Sequence, residues 1–151
     1  MKRMLSFCLA ILLIVSCITP VRASEQETII WYQETELDDG ITVIDEVSVQ
    51  SQTRSASKGY TRRKPFTTDD GIVIAIISIR GEFTYNGTTV SVASKEVTQT
   101  DTYEGWSYKQ NSFTSSGGTI TLDAKLTKLL VMNIPFTMTL TCDKDGNISY
   151  T

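Results

Sequence analysis

Four acidic side chains, Glu34, Glu36, Asp45 and Glu46, fall within two adjoining runs near the start of the chain. Two carboxyl groups of this kind are what acid–base hydrolysis of a glycosidic bond uses, provided a cleft brings them to roughly 5–10 Å of one another. Acidic residues on either side of a turn signal such as Asp38-Asp39-Gly40 ordinarily form a solvated face, and that is the expectation here. The sequence contains no histidine, which removes the Ser-His-Asp and Cys-His nucleophile systems and histidine-based metal sites. A carboxylate-dependent extracellular glycan or cell-wall hydrolase is the enzymatic alternative that survives.

Asp143, Asp145 and Asn147 with Gly146 resemble the opening of a calcium loop, which uses alternate oxygen ligands and a glycine bend. The position of its bidentate glutamate lies beyond Thr151, so a β-turn is expected and no metal or cofactor site is assigned. Cys142 keeps step with Phe136, Met138 and Leu140 in an alternating run, which predicts a buried structural thiol rather than a reactive one. Arg62, Arg63 and Lys64, beside Tyr60 and Phe66, form the basic cluster of the chain. They could meet an anionic polymer or a trypsin-like protease, but are expected to be exposed charges that discourage edge-to-edge strand pairing. Among the aromatic residues, Trp106, Tyr108, Tyr103 and Tyr85 are the candidate ligand-binding set, because flat rings bury much area at small entropic cost. Trp106 and Tyr108 share one side of a strand, where the competing reading is a core anchor and a rim residue.

These groups would be carried by strands. In TITLDAKLTK, Ile120, Leu122, Ala124 and Leu126 take one face and Thr119, Thr121, Asp123, Lys125 and Thr127 the other. PFTMTLTC, ITVIDEVSVQ and TTVSVASKEV repeat the period of two, which predicts strands with one wet side. IVIAIISI, residues 72–79, is apolar almost throughout and predicts a central strand covered on both faces. Turn signals rich in Gly, Asn and Asp separate the runs. The expected strands are 28–37, 41–50, 59–66, 72–85, 88–99, 104–114, 119–130, 135–142 and 147–150. The expected fold is all-β, an antiparallel two-sheet β-sandwich, with a small β-barrel as the alternative.

Met1-Lys2-Arg3-Met4, an apolar run from Leu5 to Val15 and a small or polar stretch reaching Ala23 follow the order of a secretory signal peptide. The run falls short of the roughly 20 residues of a membrane span. Val21 and Ala23 place the expected cut before Ser24. The alternative is Ile14-Val15-Ser16-Cys17, which matches a bacterial lipoprotein box and would leave the chain lipid-anchored at Cys17. Residues 24–58 are read as an N-terminal hairpin and polar linker, and residues 59–151 as the sandwich body. Residues 1–23 hold Lys2, Arg3 and Arg22 of the 14 basic residues and none of the 17 acidic ones. The remainder carries 11 − 17 = −6, a balance that opposes nucleic acid and electrostatic attraction to anionic membranes.

TRSASK, GEFTYNG, Trp106 in EGWSYK, GGTIT and TLTCDKDGNIS resemble a group of uncharacterised small secreted β-rich proteins of Gram-positive, clostridia-like bacteria, over most of residues 50–151. The resemblance implies export and a β-rich fold, and supplies no activity, ligand or catalytic residue. The leading expectation is therefore a secreted, extracellular, non-catalytic module that binds a surface glycan or a protein. Self-association through an open sheet edge is a further alternative.

Overall fold

The computed structural model describes residues 27–37, 40–50, 57–129 and 131–151. The expected signal peptide, Cys17 and the expected cut before Ser24 lie outside the described residues, as do Asp38, Asp39 and most of the expected polar linker. Nine antiparallel strands build two sheets. Strands β1 (Glu27–Leu37), β2 (Ile41–Gln50), β3 (Ser57–Thr68), β4 (Val73–Tyr85) and β5 (Val90–Gln99) form the first in sequence order. Strands β6 (Trp106–Ser116), β7 (Thr119–Lys128), β8 (Met132–Cys142) and β9 (Ile148–Tyr150) form the second. The sheets face one another without closing, so the molecule is a two-sheet sandwich and not a barrel. The first hairpin is part of the five-stranded sheet, since β2 pairs with β3 from Ile41↔Thr68 to Gln50↔Gly59.

The period of two sets the core. Ile120, Leu122, Ala124 and Leu126 of β7 and Met138, Leu140 and Cys142 of β8 are buried against Ile41, Val43 and Val47 of β2 and Ile77, Ile79 and Phe83 of β4. Cys142 is the buried thiol that the alternation predicts, and burial pushes its pKa up. The outer face of the four-stranded sheet is hydroxyl-rich, with Thr119 bonding Thr141 at 3.0 Å and Ser107 bonding Thr127 at 2.6 Å.

The run at residues 72–79 departs from expectation. Ile72 and Val73 are exposed and Ile76 and Ser78 half-buried, so β4 is covered on one face. Its apolar run has a local cause at Ile74: the register passes from Phe66↔Ala75 to Thr67↔Val73. The unpaired Ile74 and its neighbour Ala75 are both buried, as a β-bulge allows.

Prolines shape the ladders. Strand β3 runs past Pro65 to Thr68, but its pairing with β2 is interrupted between Val43↔Phe66 and Glu46↔Arg63, because proline lacks the N–H a ladder needs. Strand β8 extends well beyond three-residue β9, leaving its edge open. The Thr139 N–H points to that edge and bonds the Thr151 carbonyl at 3.1 Å. By backbone alternation residue 135 faces the same way, and Pro135 offers no donor there, which blunts the edge against strand addition.

Candidate functional site

The two ends of the sandwich differ. At the end holding the β4–β5, β6–β7 and β8–β9 turns, polar groups are capped. Asn86 Oδ1 accepts the N–H groups of Thr88 and Thr89 at 2.9 and 2.8 Å. Asp143 Oδ1 accepts those of Asp145 and Asn147, both at 2.9 Å, and its Oδ2 accepts Asn147 Nδ2 at 3.0 Å. The Asn147 bonds hold the Asp143 carboxyl below its ordinary pKa. The calcium-like residues are thus the hydrogen-bonded turn that was expected. The sheets are stitched together here as well: Tyr60 Oη donates to the Gly146 carbonyl at 2.9 Å, and Gly87 N–H to the Lys144 carbonyl at 2.8 Å.

The opposite end carries the β3–β4 turn, the β5–β6 loop and the β7–β8 turn, and there apolar side chains stand exposed among acidic ones. Ile72, Val73, Tyr103, Leu129 and Val131 are all exposed there, Leu129 at 75% and Val131 at 87%. An open cleft of about 740 Å³ lies beside the last two, lined by residues including Trp106, Lys109, Lys125, Leu129, Val131 and Asn133. Its base is the outer face of the four-stranded sheet. Lys109 stands directly opposite Lys125, which has Pro135 on its other side. Neither lysine has a salt bridge among the described residues. Like charges placed opposite one another on adjacent strands are unfavourable, so the pair is a feature that packing does not explain.

The four aromatic candidates do not converge. Tyr103 and Trp106 are neighbours at the cleft end, joined by the Trp106 N–H to Tyr103 carbonyl bond of 2.9 Å. Trp106 belongs to the core and is only 8% exposed, with Lys128 Nζ 5.7 Å from its ring centre. Tyr108 points inward beside Leu126, its hydroxyl is buried without a hydrogen-bond partner, and burial pushes its pKa up. Tyr85 lies at the far end, its ring so close to Gly146 that a Cβ there would clash. Of the set, Tyr103 and the rim of Trp106 remain near one surface. Leu129, Val131, Lys109 and Lys125 were not among the residues expected from sequence. A signal was present for the first two, since KLLVM, residues 128–132, has none of the Gly, Asn or Asp that open the other turns.

The acidic and basic candidates are also rearranged. Asp45 and Arg62 face the core, not solvent. Arg62 is 3% exposed and binds both Asp45 oxygens, at 2.9 Å through Nε and 2.6 Å through Nη2. Its Nη1 donates to the carbonyls of Thr139, at 2.9 Å, and Thr151. Lys64 Nζ reaches Asp45 Oδ2 at 3.0 Å. Of the basic cluster, Arg63 alone stays exposed, paired with Glu46 at 3.4 Å. Glu34 and Glu36 keep the expected solvated face, while Asp45 and the basic strand are corrected for one physical reason: Asp45, Arg62 and Lys64 occupy inward positions of their strands, where both cations share the Asp45 carboxylate. Glu34, exposed on β1, accepts the Tyr32 hydroxyl at 3.0 Å.

Among the described residues no group of three or more His, Cys, Asp or Glu side chains is placed to hold a metal ion, and no helix is long and apolar enough to cross a membrane. Compared with protein-family models, with curated proteins and with solved structures, the chain matches none.

Proposed function

We propose that this chain is an exported, non-catalytic binding module that works at a cell surface, and that its working end is the one formed by the β5–β6 loop and the β7–β8 turn. The observation that carries the reading is the asymmetry of the sandwich. One end closes its turns with polar caps and inter-sheet bonds, whereas the other leaves Tyr103 exposed and sets the exposed Leu129 and Val131 on an open cleft. Exposed apolar residues gathered in one place mark interaction surfaces more often than scattered ones do. Export is supported by the basic start, the apolar run and the small residues Val21 and Ala23, with lipid attachment at Cys17 as the variant that would keep the module at the membrane.

Retention of the exported chain on the cell envelope of its host tests the reading. Asn133→Trp would fill the cleft, and Lys144→Glu would alter the opposite end without touching it. Loss of retention with the first and not the second is the expected result. Equal retention of both variants and wild type would place the contact elsewhere.

A further inference from the structure

The β7–β8 hairpin breaks two local rules at one point. Six other connections each place a glycine at positive φ, namely Gly40, Gly71, Gly87, Gly105, Gly117 and Gly146. This one runs Lys128-Leu129-Leu130-Val131-Met132, and Leu129 takes φ 37°, the one non-glycine residue at positive φ among the described residues. The Val131 N–H closes the turn on the Lys128 carbonyl at 2.7 Å. Turns are ordinarily polar and leave the left-handed region to Gly, Asn or Asp. A sequence that breaks such rules without a packing gain marks a place selected for something other than stability.

The side chains do not pack inward: Leu129 and Val131 are the most exposed large apolar residues among those described. They stand at the tip of a hairpin on the rim of the open cleft, where their exposed side chains are free to enter a soft apolar phase. Behind the tip stand Lys109, Lys125 and Lys128, the first two opposed across the strands without carboxylate partners. An apolar tip with a cationic collar is the arrangement that lets a protein lie in a membrane interface, the apolar residues entering the acyl boundary and the ammonium groups meeting anionic headgroups. The acidic residues described at this end are Glu36 beside the β1–β2 turn, Asp69 and Asp70 of the β3–β4 turn, and Asp101 and Glu104 of the β5–β6 loop. A tilt that presents the four-stranded sheet would hold Asp69 and Asp70 away from the headgroups. The overall negative charge therefore opposes general adhesion while leaving this one contact available.

We propose that the β7–β8 tip docks on a membrane containing anionic lipid, with Leu129 and Val131 inserted and headgroup phosphates held by Lys109 and Lys125. The proposal rests on the reading of this end as the working end and names what it meets.

The test is sedimentation of the exported chain, as its host processes it, with vesicles of phosphatidylcholine alone and of phosphatidylcholine mixed with phosphatidylglycerol. Binding to the mixed vesicles that weakens in high salt is expected. Leu129→Ser with Val131→Ser should weaken it by roughly tenfold or more, and Lys109→Gln or Lys125→Gln by about fivefold each. All four side chains are wholly or partly exposed, so the variants should fold, and circular dichroism checks that they do. Failure to bind the mixed vesicles, binding that the Leu129/Val131 variant leaves unchanged, or equal binding of wild type to neutral vesicles at any salt would overturn the proposal. Envelope retention that Asn133→Trp abolishes, without vesicle binding, would overturn the membrane target alone and leave the working end in place. Retention that ignores Asn133→Trp would remove both.

Discussion

Arg62 and Asp45 form a two-pronged ion pair between the sheets, with Arg62 Nε 2.9 Å from Oδ1 and Nη2 2.6 Å from Oδ2. Lys64 reaches the same carboxylate, and the remaining Arg62 nitrogen binds the Thr139 and Thr151 carbonyls. One guanidinium thus ties β2, β3, β8 and the residue following β9 together across the middle of the sandwich. Deleting one member of a buried pair strands the other's charge, which costs about 3–5 kcal/mol, whereas replacing the pair with matched apolar residues can be neutral. Asp45→Ala should lower stability to urea by about that amount. Asp45→Leu combined with Arg62→Met and Lys64→Met should recover a large part of it. A single Asp45→Ala variant as stable as wild type would mean that solvent reaches Arg62 freely.

Tyr60 gives a pH dependence with a defined sign. Burial pushes its phenol up to about 12, against about 10 for a tyrosine in an unfolded chain. The stabilisation that comes from keeping it neutral is fully present below about pH 10 and is lost as the pH rises through about 12, because there the unfolded chain has already released a proton that the folded chain still holds. Tyr60→Phe should flatten this part of the alkaline decline in urea stability. At neutral pH the same change should cost about 1 kcal/mol, since the Gly146 carbonyl loses its 2.9 Å bond. An alkaline decline identical in the two proteins would assign the effect to other groups.

How far the sequence reveals this molecule follows from which signals are local. The strands follow from alternation and turn chemistry, and β2, β7 and β8 fall within a few residues of their expected bounds because each carries an unbroken period of two. The same alternation places the charges. Ile41, Val43 and Val47 share a face with Asp45, and Tyr60 and Phe66 share one with Arg62 and Lys64, so the pattern that set the core also set the buried ion pair. Charge alone suggested exposure, and pairing across strands is invisible until register is known. The candidate site was less legible. Tyr85 and Tyr103 look alike in sequence, yet topology sends them to opposite ends, and the Lys109–Lys125 opposition exists only because the bulge at Asn111 comes after it in the β6–β7 ladder.

Gly81 probes how closely the sheets approach. It lies on the inner face of β4 opposite Tyr60, and a Cβ added there would stand 2.7 Å from the Phe83 ring and 2.9 Å from Ile120 Cδ1. Backbone conformation is not the obstacle, since Gly81 does not have a positive φ, so the penalty of Gly81→Ala is steric. It should cost about 1–3 kcal/mol by overpacking. Phe83→Leu in the same chain should offset part of that cost, a coupling that a double-mutant cycle in urea measures. Strict additivity would mean that the sheets separate to accept the methyl group.

Leu129 separates stability from docking. Its positive φ carries a steric cost of about 1 kcal/mol that asparagine, which tolerates the left-handed region, largely avoids. Because the leucine side chain is 75% exposed, replacing it forfeits little burial. Its neighbour Gly105 does not grip it, since even a Cβ added to that glycine would stand 3.5 Å from Leu129 Cδ1, an ordinary contact distance. Leu129→Asn should therefore be as stable as wild type, or more stable by up to about 1 kcal/mol, while binding vesicles less well. The two effects have opposite signs, and a merely structural leucine cannot produce them together. A variant that loses stability and docking in parallel would show that the leucine holds the turn in shape, and the cleft, rather than an inserted tip, would then be the feature to pursue.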